Sequence, residues 1–257
     1  MKFFTIKRVG AVVYLTLARG EKFNALHVNM LREFADAVEE LKQDEQSQIV
    51  VLSGAGDGFC AGGDVSMMQD VSSPEVYDQV MNDIETIVTG FYSMPKIVIA
   101  ALHGPVVGLG LSIALSADYL MAEADARLSM NFIGIGLAPD GGGHFFLEQR
   151  LGTHRAKQFA WQGEQLRAKE AFDFQLIDLV FEGNIHDEAA NLAEEWSAKP
   201  LQSMITTKSI YHQYGIDQLL QYLSRERQSQ WKLKQTADHR EGVQAFLEKR
   251  PANFKGE

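Results

Sequence analysis

Apolar positions set the first boundaries along this chain. In residues 27–43, HVNMLREFADAVEELKQ, the positions Val28, Leu31, Phe34, Ala35, Val38 and Leu41 recur at three- and four-residue spacing. That period places them on one face of an amphipathic helix. Two other runs are continuous: IVVLSG at 49–54 and KIVIAAL at 96–102, both rich in β-branched residues and both opening into glycine-rich loops. Such runs read as strands buried on both faces. The opening stretch MKFFTIKRVGAVVYLTLA is interrupted by Lys7 and Arg8 and reads as two strands around a turn at Arg8 to Gly10. LSIALSA at 111–117 is a helix of small residues, and YLMAE at 119–123 and ARLSM at 126–130 are strand-like.

Strand, glycine loop and helix thus repeat, which is the pattern of the α/β class. Beyond Gly143 the pattern turns helical through THRAKQFAWQG, RAKEAFDFQLI, DEAANLAEEWSA, LQSMITTKSIYHQY and IDQLLQYLSRERQSQWKL, with LVFEG the remaining strand candidate. The expected organisation is a core over residues 1–193 and a helical C-terminal region over 194–257, with no Pro- or Ser-rich linker between them.

Composition narrows the class. With 46% apolar and 23% charged residues, the 257-residue chain is expected to be globular. Its net charge of −10 argues against a broad nucleic-acid or anionic-membrane footprint, while leaving room for a local basic phosphate pocket. PVVGLGLSIALSA, the longest nearly apolar run after the opening segment, has 13 residues, too few to cross a bilayer. The single cysteine, Cys60, excludes an intramolecular disulfide and points to a reducing, cytoplasmic setting.

Several motifs fail. GLGLSI from Gly108 puts Ile113 where a dinucleotide fingerprint needs its last glycine, and no glycine loop ends in the Gly-Lys-Ser/Thr of a phosphate loop. The seven histidines show no metal-ligand spacing, and no Gly-x-Ser-x-Gly elbow is present. What remains is a pair of glycine loops, FCAGGD and VVGLGL, each following a buried strand. Their glycines either only turn the chain or bring two backbone N–H groups together to bind an oxyanion. A third feature is GLAPDGGG at 136–143, which sets Asp140 between a proline and three glycines. On the residues alone Asp140 reads as a turn residue or a helix cap.

Taken together, GEKFNAL at 20–26, GDGFCAGGDVSMM at 56–68, HGPVVGLGLSIALSADYLMA at 103–122, GIGLAPDGGG at 134–143 and the closing EGVQAFLEKRPANFKGE give a chain that resembles the crotonase, or enoyl-CoA hydratase/isomerase, family. The likeness covers nearly the whole chain. It implies a crotonase-like spiral of ββα turns with a helical C-terminal region, assembled as a homotrimer or hexamer. It also implies an acyl-CoA thioester as ligand, coenzyme A being the carrier of the substrate, with no metal or redox cofactor.

Residue by residue, the resemblance puts the oxyanion-binding amides at Gly63 and Leu109, the latter a departure from the glycine common in the family. It puts Ala25, Ala61, Met67 and Phe132 along the substrate and Lys249 against a CoA phosphate. The two glutamates with which family hydratases activate water fall here on Ser112 and Phe132, neither of which can act as an acid or base of the required strength. Asp140 stands where single-aspartate isomerases of the family carry their acid/base. The resemblance therefore implies an acyl-CoA isomerase that shifts a C=C bond through an enolate. The alternatives are another crotonase-type reaction, namely a ring-modifying isomerase of an aromatic-derived CoA thioester or a hydratase, and a catalytically silent CoA-binding subunit.

The apolar residues Phe132, Ile133, Leu137 and Phe145 around Asp140 are expected to raise its pKa by desolvation. His144 is expected in a structural or exposed position, Cys60 as a small buried side chain, and Asp64 as the cap of a following helix that carries Met67 and Met68.

Overall fold

A computed structural model describes residues 1–65 and 73–257. Strands β1 (Phe4–Val9) and β2 (Val12–Leu17) form the predicted N-terminal hairpin, turning at Gly10 with φ +57°. Helix α1 (Val28–Gln43) follows, capped by His27 Nδ1, which accepts from Met30 N–H. Next come β3 (Ile49–Gly54), α2 (Pro74–Ser93), β4 (Ile97–Leu102), β5 (Pro105–Val107), α3 (Leu109–Leu115), β6 (Tyr119–Glu123) and β7 (Arg127–Ser129). The remainder is α4 (Gly143–Gln162, broken at Gly152), β8 (Gln165–Arg167), α5 (Ala168–Asp173), β9 (Leu179–Phe181), α6 (Ile185–Ser197), α7 (Leu201–Leu233) and α8 (Ala237–Glu248).

The main sheet runs β1-β2-β3-β4-β6-β9, parallel except for the β1/β2 hairpin, and a small second sheet runs β5-β7-β8. Strands β3 and β4 are buried along their whole length, as their unbroken apolar runs require. Alternation divides them between two cores. Val50, Leu52, Val98 and Ala100 pack on one side with the apolar face of α1 and with α2, whereas Ile49, Val51, Ile97 and Ile99 pack on the other with Ile185, Ala189 and Ala193 of α6.

Two features differ from the pattern-based expectation. The three-residue strands β5 and β8 are too short to show an alternation. The helical segments LQSMITTKSIYHQY and IDQLLQYLSRERQSQWKL are one helix, α7, continuous through Gly215. A β-carbon there would displace the hydroxyl of Tyr92, which packs against the helix at this point. Helix α7 is fastened to the sheet by buried Lys208, whose Nζ donates to Asp118 Oδ2 at 2.8 Å and to the carbonyls of Phe91 and Lys96. The far end of α7 is thereby carried to the carboxyl ends of β3 and β4, where the two glycine loops emerge.

Among the described residues no helix is long and apolar enough to cross a membrane.

Candidate active site

The first glycine loop is held by bonds on both sides. Cys60 bridges to Val106: its N–H donates to Pro105 O at 3.0 Å, and Val107 N–H donates back to Cys60 O at 2.9 Å. Gly63 bridges to Leu26 through Leu26 N–H on Gly62 O and Asp64 N–H on Leu26 O, at 2.8 and 2.9 Å. Because these two bonds use the groups on either side of Gly63, its own N–H turns away from Leu26, and Gly63 lines the cavity. Gly62 has φ +88°, and a β-carbon there would stand 2.7 Å from Val107 O and 3.6 Å from Leu109 N. Only glycine lets the loops approach so closely. Leu109 is the first residue of α3, so its N–H has no acceptor within the helix. Two backbone donors thus border the same space.

Asn24 fixes the loop from beneath. It is fully buried with φ +55°, accepts from Arg19 N–H, and donates to the carbonyls of Ala55 and Gly58 at 3.0 and 2.8 Å. Arg19 reaches Asp64 Oδ2 at 2.8 Å and Ala25 O at 2.6 Å, and His103 Nε2 lies 2.9 Å from Gly56 O.

Asp140 comes from the turn before α4, where Gly141 and Gly142 take φ of +63° and +75°. Buried Glu226 of α7 clamps this turn. Its carboxylate accepts from Gly142 N–H at 2.8 Å and from His144 N–H at 3.1 Å, and His144 Nδ1 lies 2.7 Å from the same oxygen as the latter. One turn further along α7, Gln230 Nε2 donates to Asp140 Oδ2 at 3.0 Å. Asp140 Oδ1 is occluded and without a hydrogen-bond partner. Desolvation is the main cause that pushes the Asp140 carboxyl up to about 7. The negative charge of Glu226 pushes the same way, while the Gln230 bond and His144 oppose it.

A cavity of about 570 Å³ joins these groups. Of the residues expected at the site, Gly63, Leu109, Asp140, Ala25, Ala61 and Phe132 all line it. Met67 lies outside the described residues, as does the helix that Asp64 was expected to cap. Lys249 is not brought to the cavity: it ends α8 with φ +56°, exposed, and Phe246 and Leu247 of that helix line the wall instead.

Of the four apolar residues expected around Asp140, Phe132 and Leu137 share its cavity. Ile133 is exposed, and Phe145 is spent in the core against Tyr92. Ser112 is wholly buried, with Oγ against Met130 Sδ at 3.8 Å. Cys60 is buried, as expected, and burial pushes its thiol up to about 12. His144 has the structural part already described. Among the described residues no group of His, Cys, Asp or Glu could hold a metal ion.

Glu226, Gln230 and Tyr77 were not singled out from the sequence. A signal for the first two exists. The inward stripe of α7 reads Leu219, Leu223, Glu226, Gln230 at helical spacing, so two polar residues stand where the period calls for apolar ones.

The assembled site offers two backbone donors for an anionic oxygen and one cavity carboxylate whose pKa lies near neutrality. Comparison with known proteins identifies the family. The family model for enoyl-CoA hydratase/isomerase matches residues 7–257. The Bacillus subtilis protein YhaR, whose name covers both hydratase and isomerase, is 44% identical over 99% of this chain and 100% of its own. The 1,2-epoxyphenylacetyl-CoA isomerase of Escherichia coli is 32% identical over 100% of this chain and 99% of its own. The crystal structure of an enoyl-CoA hydratase from Mycobacterium avium subsp. paratuberculosis superposes with a TM-score of 0.90 at 29% identity, covering 98% of each chain. With the fold, the paired glycine loops and a match along nearly its whole length, the chain belongs to the enoyl-CoA hydratase/isomerase family.

Proposed function

We propose that the protein is an acyl-CoA isomerase that moves a C=C bond of an unsaturated acyl chain, with Asp140 as its acid/base. One observation carries the reading. Asp140 lines the same cavity as Gly63 and Leu109, with its Oδ1 left without a hydrogen-bond partner, while the positions of the two hydratase glutamates hold buried Ser112 and apolar Phe132.

In this reading the thioester oxygen sits between the amides of Gly63 and Leu109. The Asp140 carboxylate takes a proton from C2 of a 3-enoyl thioester, and the electron pair of that C–H bond spreads into a dienolate whose charge rests on the thioester oxygen. Each backbone donor contributes about 3–4 kcal/mol to holding that charge. Asp140, now a carboxylic acid, returns the proton to C4, and the double bond moves into conjugation. One carboxylate serves both steps because the proton leaves and returns on the same face of a planar dienolate. A pKa near 7 suits a group that must take and give a proton at neutral pH. Hydration would require a held and activated water; position 132 holds phenylalanine in place of the second glutamate, and the other carboxylate among the described cavity residues, Asp64, is paired with Arg19.

The test is to give purified protein a 3-enoyl-CoA and a 2-enoyl-CoA and separate the products. Interconversion of the two without accumulation of the 3-hydroxyacyl thioester supports the isomerase; dominant hydration overturns it.

A second reading, ring-modifying isomerisation of an aromatic-derived CoA thioester, is favoured by the full-length likeness to the Escherichia coli 1,2-epoxyphenylacetyl-CoA isomerase. Faster turnover of that epoxide than of any 3-enoyl-CoA would favour it over the first. Assembly as a trimer or hexamer belongs to the same proposal, supported by Ile210, Tyr211 and Tyr214, which expose apolar surface along α7.

A further inference from the structure

Gln230 is buried, and a buried amide needs a partner for both of its ends. Only one end is satisfied: Nε2 donates to Asp140 Oδ2 at 3.0 Å, while Gln230 Oε1 is occluded without a partner, as is Asp140 Oδ1. The two unpartnered atoms are both acceptors and belong to side chains already bonded to each other. A single proton on Asp140 changes that balance. A carboxylic acid has one O–H to donate, and the amide carries its acceptor on the same carbon as its donor. Rotating the amide about its last bond exchanges N–H for C=O toward Asp140.

We propose that Gln230 is the positioning residue of proton transfer, holding the carboxylate through its N–H and the carboxylic acid through its C=O, so that Asp140 keeps one orientation while it carries the substrate proton. This deepens the isomerase reading and rests on it for the identity of the substrate. No proton passes to or from Gln230. The C2–H bond breaks as the Asp140 O–H bond forms, and the O–H bond breaks as the C4–H bond forms.

The charged and titratable groups around Asp140 give the proposal a sign. From α7, Glu226 disfavours the carboxylate and Lys234 lines the same cavity; from α4, His144 favours it; from α2, Tyr77 lines the cavity and feels the Asp140 charge; and Asp64 of the first glycine loop lines it as well. Gln230 favours the carboxylate through its N–H. Because the bond to the charged carboxylate is stronger than the one to the neutral acid, removing the amide while keeping its length, as in Gln230→Met, loses more from the carboxylate and moves the Asp140 titration upward, by about 0.5–1 pH unit. Glu226→Gln removes a negative charge and moves it downward. A structural role alone predicts lower stability or activity in both variants, with no opposed shifts.

The experiment has two readouts. The first is the titration of Asp140 without substrate, followed by carbon NMR of carboxyl-labelled aspartate and assigned by its loss in Asp140→Asn. The second is the pH profile of kcat/KM with a 3-enoyl-CoA. The expected result is an upward shift in Gln230→Met and a downward shift in Glu226→Gln in the titration, with the turnover profile following each. Gln230→Met is further expected to lower kcat at least tenfold at the pH where Asp140 is fully ionised, with KM changed less. Midpoints that stay within experimental error of wild type in both variants overturn the proposal. If the titrations shift as stated and no enoyl thioester is turned over by the wild type, the isomerase reading has failed and the bond between Gln230 and Asp140 keeps its assigned effect.

Discussion

The side chain of Leu109 stands against the backbone of Gly141: a β-carbon at position 141 would fall 2.6 Å from Leu109 Cδ1. In the proposed function Leu109 supplies an amide to the oxyanion side of the cavity, and Gly141 follows the aspartate, so this contact sets the two halves of the proposed site against each other. It also accounts for a leucine where the family commonly has glycine, since the side chain is 5% exposed and fills space over the turn.

Gly141→Ala is therefore expected to damage the site from two directions. At φ +63° a side chain costs about 1–2 kcal/mol, and the new methyl collides with Leu109. We expect kcat to fall at least tenfold. Adding Leu109→Ala should restore part of that loss. A double variant no better than the product of its single variants would show that the two positions are not coupled.

The pH dependence follows from Asp140. The base form is the carboxylate, so kcat/KM should rise with pH and level off above about 7. Stability moves the other way. The folded-state pKa of Asp140 is raised above the ordinary 3.8, so its contribution to folding is fully present below 3.8 and lost as pH rises to about 7. Asp140→Asn should then be more stable than wild type at pH 8, by on the order of 2–4 kcal/mol, and no more stable at pH 4. Denaturant unfolding at the two pH values checks this; an advantage of equal size at both would contradict the assigned pKa.

Asn24 bears on the first glycine loop. Asn24→Ala leaves the carbonyls of Ala55 and Gly58 without their donor and puts alanine at φ +55°. Each stranded buried carbonyl costs about 1–3 kcal/mol, so thermal unfolding should show a loss of roughly 2–4 kcal/mol. Turnover should fall further than the loss of folded protein explains, because Gly63 rides on this loop. Unchanged kcat in the folded fraction would separate the loop from catalysis.

Cys60 is buried and its thiol is pushed up to about 12. It should resist a thiol-specific reagent at pH 8 in the native protein and react fully in denaturant. Rapid stoichiometric labelling of the native protein, with loss of activity, would make Cys60 part of an accessible site.

Much of the frame is legible in the sequence because burial on both faces leaves uninterrupted apolar runs. IVVLSG and KIVIAAL became β3 and β4, and the period of 27–43 became α1 with its face inward. The glycine loops were legible as loops, and motif likeness assigned Gly63, Leu109 and Asp140, which meet around one cavity. What escaped depends on contacts distant in sequence. Gln230 lies 90 residues from Asp140 and Glu226 lies 82 from His144, and neither pairing has a local signature. Their trace is the polar interruption of the α7 stripe after Leu223. Lys249 is a different case: it is exposed at the left-handed cap that ends α8 and does not line the cavity, so its pairing with a CoA phosphate rests on the resemblance alone.

The central claim, that Asp140 moves the proton of an enoyl thioester, is tested most directly in deuterated water. Wild type and Asp140→Asn are mixed with a 3-enoyl-CoA, and double-bond position, deuterium at C2 and C4, and thioester affinity are followed together. We predict migration with label in the wild type. In Asp140→Asn, migration and labelling should drop by roughly a thousandfold at unchanged affinity. An asparagine variant that still shifts the double bond within tenfold of the wild-type rate would contradict the account.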